Sequence, residues 1–304
     1  MADGSVGAPA LPPASGIRRG VSILARLACA LRRGARNLSI PLAGLVFAAF
    51  VALPLLTLFV RDPWSQTLSV LGNPIVKSAV EVSLISTSVA TGLTAIFGVP
   101  LGYLLARYRF PGKAIVTGLV YFPLVLPPLV AGILLELVWG QSGTIEQFLE
   151  PRGLLFVDEL SGIVLCQIFV SSPFIVVAAR SAFERLDQDL EEAARTMGAD
   201  TLRVFWSIAV PLSLRSIMAG ITLSWMRSFG EFGATSIVAY HPFSFPIYVS
   251  EVFGTIPFAQ MLPLALLAVV MCAVVLTIAA ALERVGVVGL IIGRLTARRT
   301  SPSS

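Results

Sequence analysis

Residues 180–215 read RSAFERLDQDLEEAARTMGADTLRVFWSIAVPLSLR, 36 residues too charged to enter lipid yet patterned as helix rather than as disordered linker. Leu190, Ala193, Ala194 and Met197 fall at i, i+3, i+4 and i+7, the apolar stripe of an amphipathic helix. Asp187, Asp189, Glu191 and Glu192 stand early and Arg195 late, as the helix dipole favours. Gly198 suits the left-handed position that ends a helix. Asp200 or Thr201 can cap a second helix through Arg203, Phe205 and Ile208 to Pro211, which stops it or begins the next segment with a bend. The pattern is a helix, glycine, helix knuckle. It reads either as a docking surface or as an amphipathic helix lying on a membrane.

Outward from this stretch the chain turns apolar. Leu38–Val60, Val82–Ala106, Ala114–Leu135 and Ser161–Ala179 precede it without a single Asp, Glu, Lys or Arg. Each is near the roughly 20 residues that cross a bilayer. The first is longer than a signal-peptide core and is expected to stay as a membrane helix. After the knuckle come Ile217 to about Tyr240, interrupted by Arg227 and Glu231, and the clean run Phe258–Leu282. Over 304 residues the chain is 56% hydrophobic and 13% charged, with mean hydropathy +0.86. That charge is about half the roughly 25% of soluble domains, which excludes a conventional water-soluble fold. The expected fold is an all-α polytopic membrane protein with six transmembrane helices spanning 38–282.

Charge sets the orientation. Arg18, Arg19, Arg26, Arg32, Arg33 and Arg36 lie in the tail 1–37; Arg107, Arg109 and Lys113 follow the second run. The knuckle loop 180–215 adds Arg180, Arg185, Arg195, Arg203 and Arg215, and the tail 283–304 adds Arg284, Arg294, Arg298 and Arg299. Placing the N-terminus in the cytoplasm puts all eighteen inside, against Arg61, Lys77 and Arg152 outside. Both termini are then cytoplasmic, and a segment with Glu146, Glu150, Asp158 and Glu159 faces outward, where a short helix has room. The net charge of +5 is therefore topological and does not point to nucleic acid. Cys29, Cys166 and Cys272 have no disulfide or metal spacing and read as packing residues.

Glu192-Ala193-Ala194, three residues, Gly198, nine residues, Ile208, one residue and Val210-Pro211 resemble the EAA signature of the MetI-like, binding-protein-dependent (type I) ABC importer permeases. Only Val210 departs, where the signature has Leu. The resemblance implies that Glu192, Ala193, Ala194, Gly198, Ile208 and Pro211 form the coupling helix region that meets an ATP-hydrolysing subunit. This chain has no phosphate loop, because Gly112-Lys113 is preceded by Arg107 where Gly is needed and followed by Ala114. ATP and magnesium are therefore expected on a separate partner, with no cofactor and no catalytic residue on this chain. The implied assembly is two permease copies, read as a homodimer, with two ATP-binding subunits and an extracytoplasmic oxyanion-binding protein, in the cell inner or plasma membrane.

Two further stretches narrow the resemblance. Phe122 to Gly132, FPLVLPPLVAG, is similar to a segment of molybdate and sulfate permeases. Its Pro123, Pro127 and Pro128 remove amide donors, so the third span cannot be a regular helix and has to be supported by neighbours or face a cavity. Arg227 to Thr235, RSFGEFGAT, resembles the oxyanion branch, molybdate and tungstate permeases in particular. Arg227 and Glu231 stand at i, i+4 and can pair on one helix face, which lowers the cost of holding both at membrane depth. They read as a buried lock between helices or as organisers of a gate, with Gly230 and Gly233 allowing close approach of the two-fold partner. His241, the only histidine, reads as an interface residue. Molybdate or tungstate import is the leading reading. Sulfate or thiosulfate import by the same fold, and an ion-driven secondary transporter, stay open.

Overall fold

The computed structural model describes residues 41–61, 64–141, 143–145, 148, 151 and 155–299, with 64–65 and 282–299 as backbone alone. The tail 1–37 and most of the outward acidic segment lie outside the described residues. The chain divides into two units, Met1–Arg61 and Asp62–Ser304. The first contains helix α1, Pro41–Arg61, long and apolar enough to cross a membrane.

In the second unit the order is α2 (Trp64–Val70), α3 (Pro74–Arg107), α4 (Lys113–Val125), α5 (Pro128–Trp139), α6 (Leu160–Arg185), α7 (Gln188–Thr196) and α8 (Thr201–Val204). A π-helical turn, Phe205–Ala209, then leads into α9 (Val210–Phe229), followed by α10 (Thr235–Val238), α11 (Phe245–Val252) and α12 (Phe258–Arg299). Among the described residues β-pairing is confined to one isolated bridge, Phe253 to Ile256. Five helices are long and apolar enough to span: α1, α3, α6, the continuous run Thr201–Phe229, and α12 over Phe258–Ala281. The sixth expected span is α4 with α5. It breaks at Leu126 and Pro127, both extended with ψ near 133°. Proline restricts the residue before it to extended backbone, and Pro128, at the first turn of α5, restarts the helix where its missing N–H is harmless.

Helix ends differ from the charge-free runs for a physical reason. Charge limits what lipid covers but does not stop a helix. Thus α6 continues past Ala179 to Arg185, with Arg180 paired to Glu184 at 2.8 Å. The backbone of α12 likewise continues past Leu282 to Arg299. The fifth span begins earlier than Ile217, because the helix from Thr201 runs through the π turn. Pro211 has no amide, and its ring would press on the carbonyl of Ser207 in a regular helix. The wider turn, closed by Val210 N–H donating to Phe205 O, relieves this without ending the helix.

The core is a three-helix body of α3, α6 and α9. At one end Val99 and Tyr103 pack with Ile175, Ala179, Phe183, Phe205, Ala209 and Ile217. Further along, polar side chains tie the helices together. Gln167 Nε2 donates to Thr87 Oγ1 at 3.3 Å and to the Ser228 carbonyl at 3.2 Å, and Ser224 Oγ donates to the Ser171 carbonyl at 3.2 Å. In lipid, apolar side chains gain little by leaving it, so small and hydrogen-bonding residues hold helices together. At the other end Val76 packs with Phe229, Phe245, Leu264 and Leu267.

Candidate coupling and gate sites

The knuckle is built by local rules. Asp187 caps α7, its carboxylate accepting from Asp189 N–H at 3.1 Å. At the other end Gly198 adopts φ +90°; its N–H donates to Arg195 O at 2.9 Å, and Ala199 N–H donates to Ala194 O at 3.0 Å. That pair of bonds is a Schellman closure, which needs the left-handed residue glycine supplies at least cost. Asp200 then caps α8, accepting from Arg203 N–H at 2.7 Å.

Which face of α7 points outward is not the one its periodicity suggests. Only Glu191 and Ala194 are buried. Leu190 and Met197 are 49% and 83% exposed, Glu192 and Ala193 are exposed beside them, and Leu202 and Trp206 continue the apolar surface at 68% and 62%. Ile208 in the π turn and Pro211 in the first turn of α9 are half-buried. Leu190, Ala193 and Met197 of the stripe therefore face away from the chain's own core while Ala194 packs inward, because a carboxylate anchors the helix. Glu191 Oε2 accepts from the Tyr103 hydroxyl at 2.7 Å, and Oε1 accepts from Arg107 Nε at 2.9 Å and lies 2.8 Å from its Nη2. Arg107 Nη2 also donates to the Leu186 carbonyl at 3.0 Å, and Arg195 stands 3.4 Å from Glu191 Oε2. Sequence reasoning missed this group. Its available signal was two i, i+4 pairs, Tyr103 with Arg107 and Glu191 with Arg195, at the ends of a span and of the knuckle.

The two motif stretches that lie far apart in sequence meet in space. Helix α9 stops at Phe229 rather than reaching Tyr240. Glu231, fully buried, turns back so that Oε1 accepts from Ala234 N–H at 2.8 Å, while Arg227 Nη1 sits 2.7 Å from Oε2. The ion pair thus forms across the end of the helix and caps the turn after it. Gly233 abuts α5 of the same chain: a Cβ there would lie 2.4 Å from Pro128 Cβ and 3.0 Å from its carbonyl carbon. The close approach that Gly233 permits is to α5 of the same chain. Gly230 is exposed and a Cβ there would come no nearer than 3.7 Å to other atoms, at the Met226 carbonyl oxygen; Pro123 is buried, and Pro127 is exposed. His241 is exposed, its N–H donating to Asp158 Oδ1 at 3.0 Å, next to Tyr240, whose hydroxyl donates to Glu251. Among the described residues no group of three or more His, Cys, Asp or Glu could hold a metal, and Cys166 and Cys272 are free thiols.

A multi-helix membrane body with a broken third span and a capped knuckle between the fourth and fifth is a permease architecture. The chain belongs to the family of binding-protein-dependent transport system inner membrane components, which it matches over residues 98–285. It is 37% identical to the molybdate/tungstate transport system permease protein WtpB of Pyrococcus furiosus, over 74% of this chain and 86% of that one. It is 36% identical to the molybdenum transport system permease protein ModB of Mycobacterium tuberculosis, over 64% and 72%. A probable sulfate transport system permease protein of Marchantia polymorpha is 33% identical over 70% of each. Among solved structures, a bacterial ABC transporter involved in import of the acidic polysaccharide alginate superposes with a TM-score of 0.65 at 16% identity, covering 85% of this chain and 98% of that one. The inward-facing MetNI methionine ABC transporter gives 0.58 at 17%, covering 70% and 96%. These likenesses establish the fold, that of an ABC importer permease and a multi-pass membrane protein.

Proposed function

We propose that this chain is the translocation subunit of an ATP-driven oxyanion importer, carrying molybdate or tungstate, and that it works without catalysing a reaction itself. The observation that carries this reading is the outward face of the knuckle. Leu190, Ala193 and Met197 on α7 and its cap, with Leu202 of α8 and Trp206 of the π turn, present apolar surface with Glu192 among them, and α7 is anchored from behind by Glu191. Such a face fits a cleft on an ATP-binding subunit, with ATP and magnesium held there. Two copies of this chain, each carrying one such subunit, surround one pathway. Closure of the ATP-binding subunits draws the two knuckles together and opens the outer side, where an oxyanion-binding protein delivers its load. Within the described apolar runs 82–106, 114–135, 161–179, 217–240 and 258–282 Arg227 is the one cation, and it is neutralised by Glu231, which suits a pathway that must release an anion rather than trap it. The names of the relatives above support molybdate and tungstate; the Marchantia relative supports sulfate as the second reading.

The test is elemental content, by mass spectrometry, of a strain lacking this chain and complemented with wild type or with Glu192→Lys. Molybdenum or tungsten is expected to fall on deletion and to be restored by wild type alone. A response of sulfur alone moves the substrate to sulfate. A Glu192→Lys variant that restores uptake fully overturns the docking assignment.

A further inference from the structure

We infer that Glu191, with Tyr103 and Arg107, is the joint through which the coupling helix drives α3, and that it sets how much transport each ATP yields. The inference rests on the proposed docking of the knuckle. Helix α7 has two buried residues, Glu191 and Ala194, so its buried polar hold on the rest of the chain is the Glu191 carboxylate, to which the more exposed Arg195 adds a 3.4 Å hydrogen bond onto the Tyr103 hydroxyl. That carboxylate is fixed from three directions, by the Tyr103 hydroxyl, by Arg107 and by the more exposed Arg195. Arg107 also grips the Leu186 carbonyl, so a single guanidinium ties the end of α6, the start of the knuckle and the end of α3. The Tyr103 ring lies edge-on to Phe183 of α6 at 5.2 Å and to Phe205 of the π turn at 5.0 Å. Tyr103 therefore touches every element that leaves the knuckle.

A force on α7 then has a stiff route. Charge-assisted hydrogen bonds to a buried carboxylate are short and directional, whereas apolar contacts slide. From the joint, α3 runs its 34 residues to Pro74, about 50 Å at helical rise. Along the way Thr87 meets Gln167, which donates to Ser228 O just before the break at Gly230, and Ser83 accepts from Phe245 N–H at 2.7 Å. At its far end Val76 packs on Phe229, two residues from Glu231. The lever that starts at Glu191 thus ends against the turn that the gate motif builds. Glu191, Tyr103 and Arg107 are positioning residues in this scheme, and Glu192 is a docking residue.

The experiment uses the whole complex, permease with ATP-binding subunits and the external binding protein, in liposomes, and measures molybdate accumulated per ATP hydrolysed. Tungstate and sulfate serve as parallel probes. Tyr103→Phe is the deciding variant, since it keeps the ring packing and removes only the hydroxyl that joins α3 to Glu191 and Arg195 of α7; Glu191→Gln is its companion. The complex is expected to assemble and hydrolyse ATP, with transport per ATP falling about threefold or more, within the range that coupling residues produce. A Tyr103→Phe ratio closer to wild type than that overturns the joint. Retention of the ATP-binding subunits by Glu192→Lys would instead sink the docking reading, and is scored separately by co-purification.

Discussion

At the scale of single residues, the contrast between Gly233 and Gly230 isolates what the stretch Arg227–Thr235 uses its glycines for. Adding a methyl group at Gly233 drives it into the Pro128 ring and backbone, which cannot withdraw without moving α5. Gly233→Ala is expected to destabilise the purified protein by about 1–3 kcal/mol, the usual penalty for overpacking. Gly230→Ala meets only the Met226 carbonyl at 3.7 Å and is expected to stay within about 0.5 kcal/mol. Thermal unfolding of both variants in the same detergent checks this, and equal melting temperatures would refute the contact. The two adjacent glutamates of the knuckle carry a similar lesson. The motif marks Glu192, which is exposed, while Glu191 is buried and holds the helix. Spacing alone could not separate them, because which of two neighbouring side chains faces inward depends on where Tyr103 and Arg107 stand, and those lie more than 80 residues away in sequence.

At the scale of elements, the local signals were readable and the continuations were not. Gly198, Asp200 and the proline break in the third span act through their own backbone, so sequence placed them well. The ends of α6 and α12 and the start of the run Thr201–Phe229 follow hydrogen bonding that runs on through charged residues, whereas α9 stops at Phe229, short of Glu231. Hydropathy therefore marks where lipid stops and not where the helix stops. The closure of α7 gives a clean test at this scale. Gly198 has open space around it, so Gly198→Ala carries only the backbone penalty of φ +90°, about 1–2 kcal/mol for a residue with a Cβ. Amide exchange across residues 188–200 is expected to speed up roughly five- to thirtyfold, with Gly198→Asn in between. Unchanged exchange in Gly198→Ala would mean the knuckle is not closed by this turn.

At the scale of the whole molecule, the asymmetry of cationic residues predicts which way the body sits. Met197 and His241 are both strongly exposed and lie at the knuckle and near Asp158 respectively. An impermeant maleimide is expected to label His241→Cys in intact spheroplasts and Met197→Cys only after permeabilisation, measured against the native thiols as background. Labelling of Met197→Cys from outside would invert the topology. The fold class was legible because apolar runs near the bilayer length admit few alternatives. The meeting of Pro128 with Gly233 was not, since more than a hundred residues separate them in sequence and neither stretch names the other.

The π turn at Phe205–Ala209 has a consequence for angular phase. Each residue of an α-helix advances the side chains by about 100° around the axis. The wide turn places one surplus residue between the knuckle and α9. Leu202 and Trp206 on one side, and Ser224 and Ser228 on the other, hold their directions only while that residue is present. Removing it would leave a smoother helix with the same composition and nearly the same length. The cytoplasmic face would then be turned by more than a quarter circle relative to the transmembrane face, and a partner gripping the knuckle would find the permease rotated away.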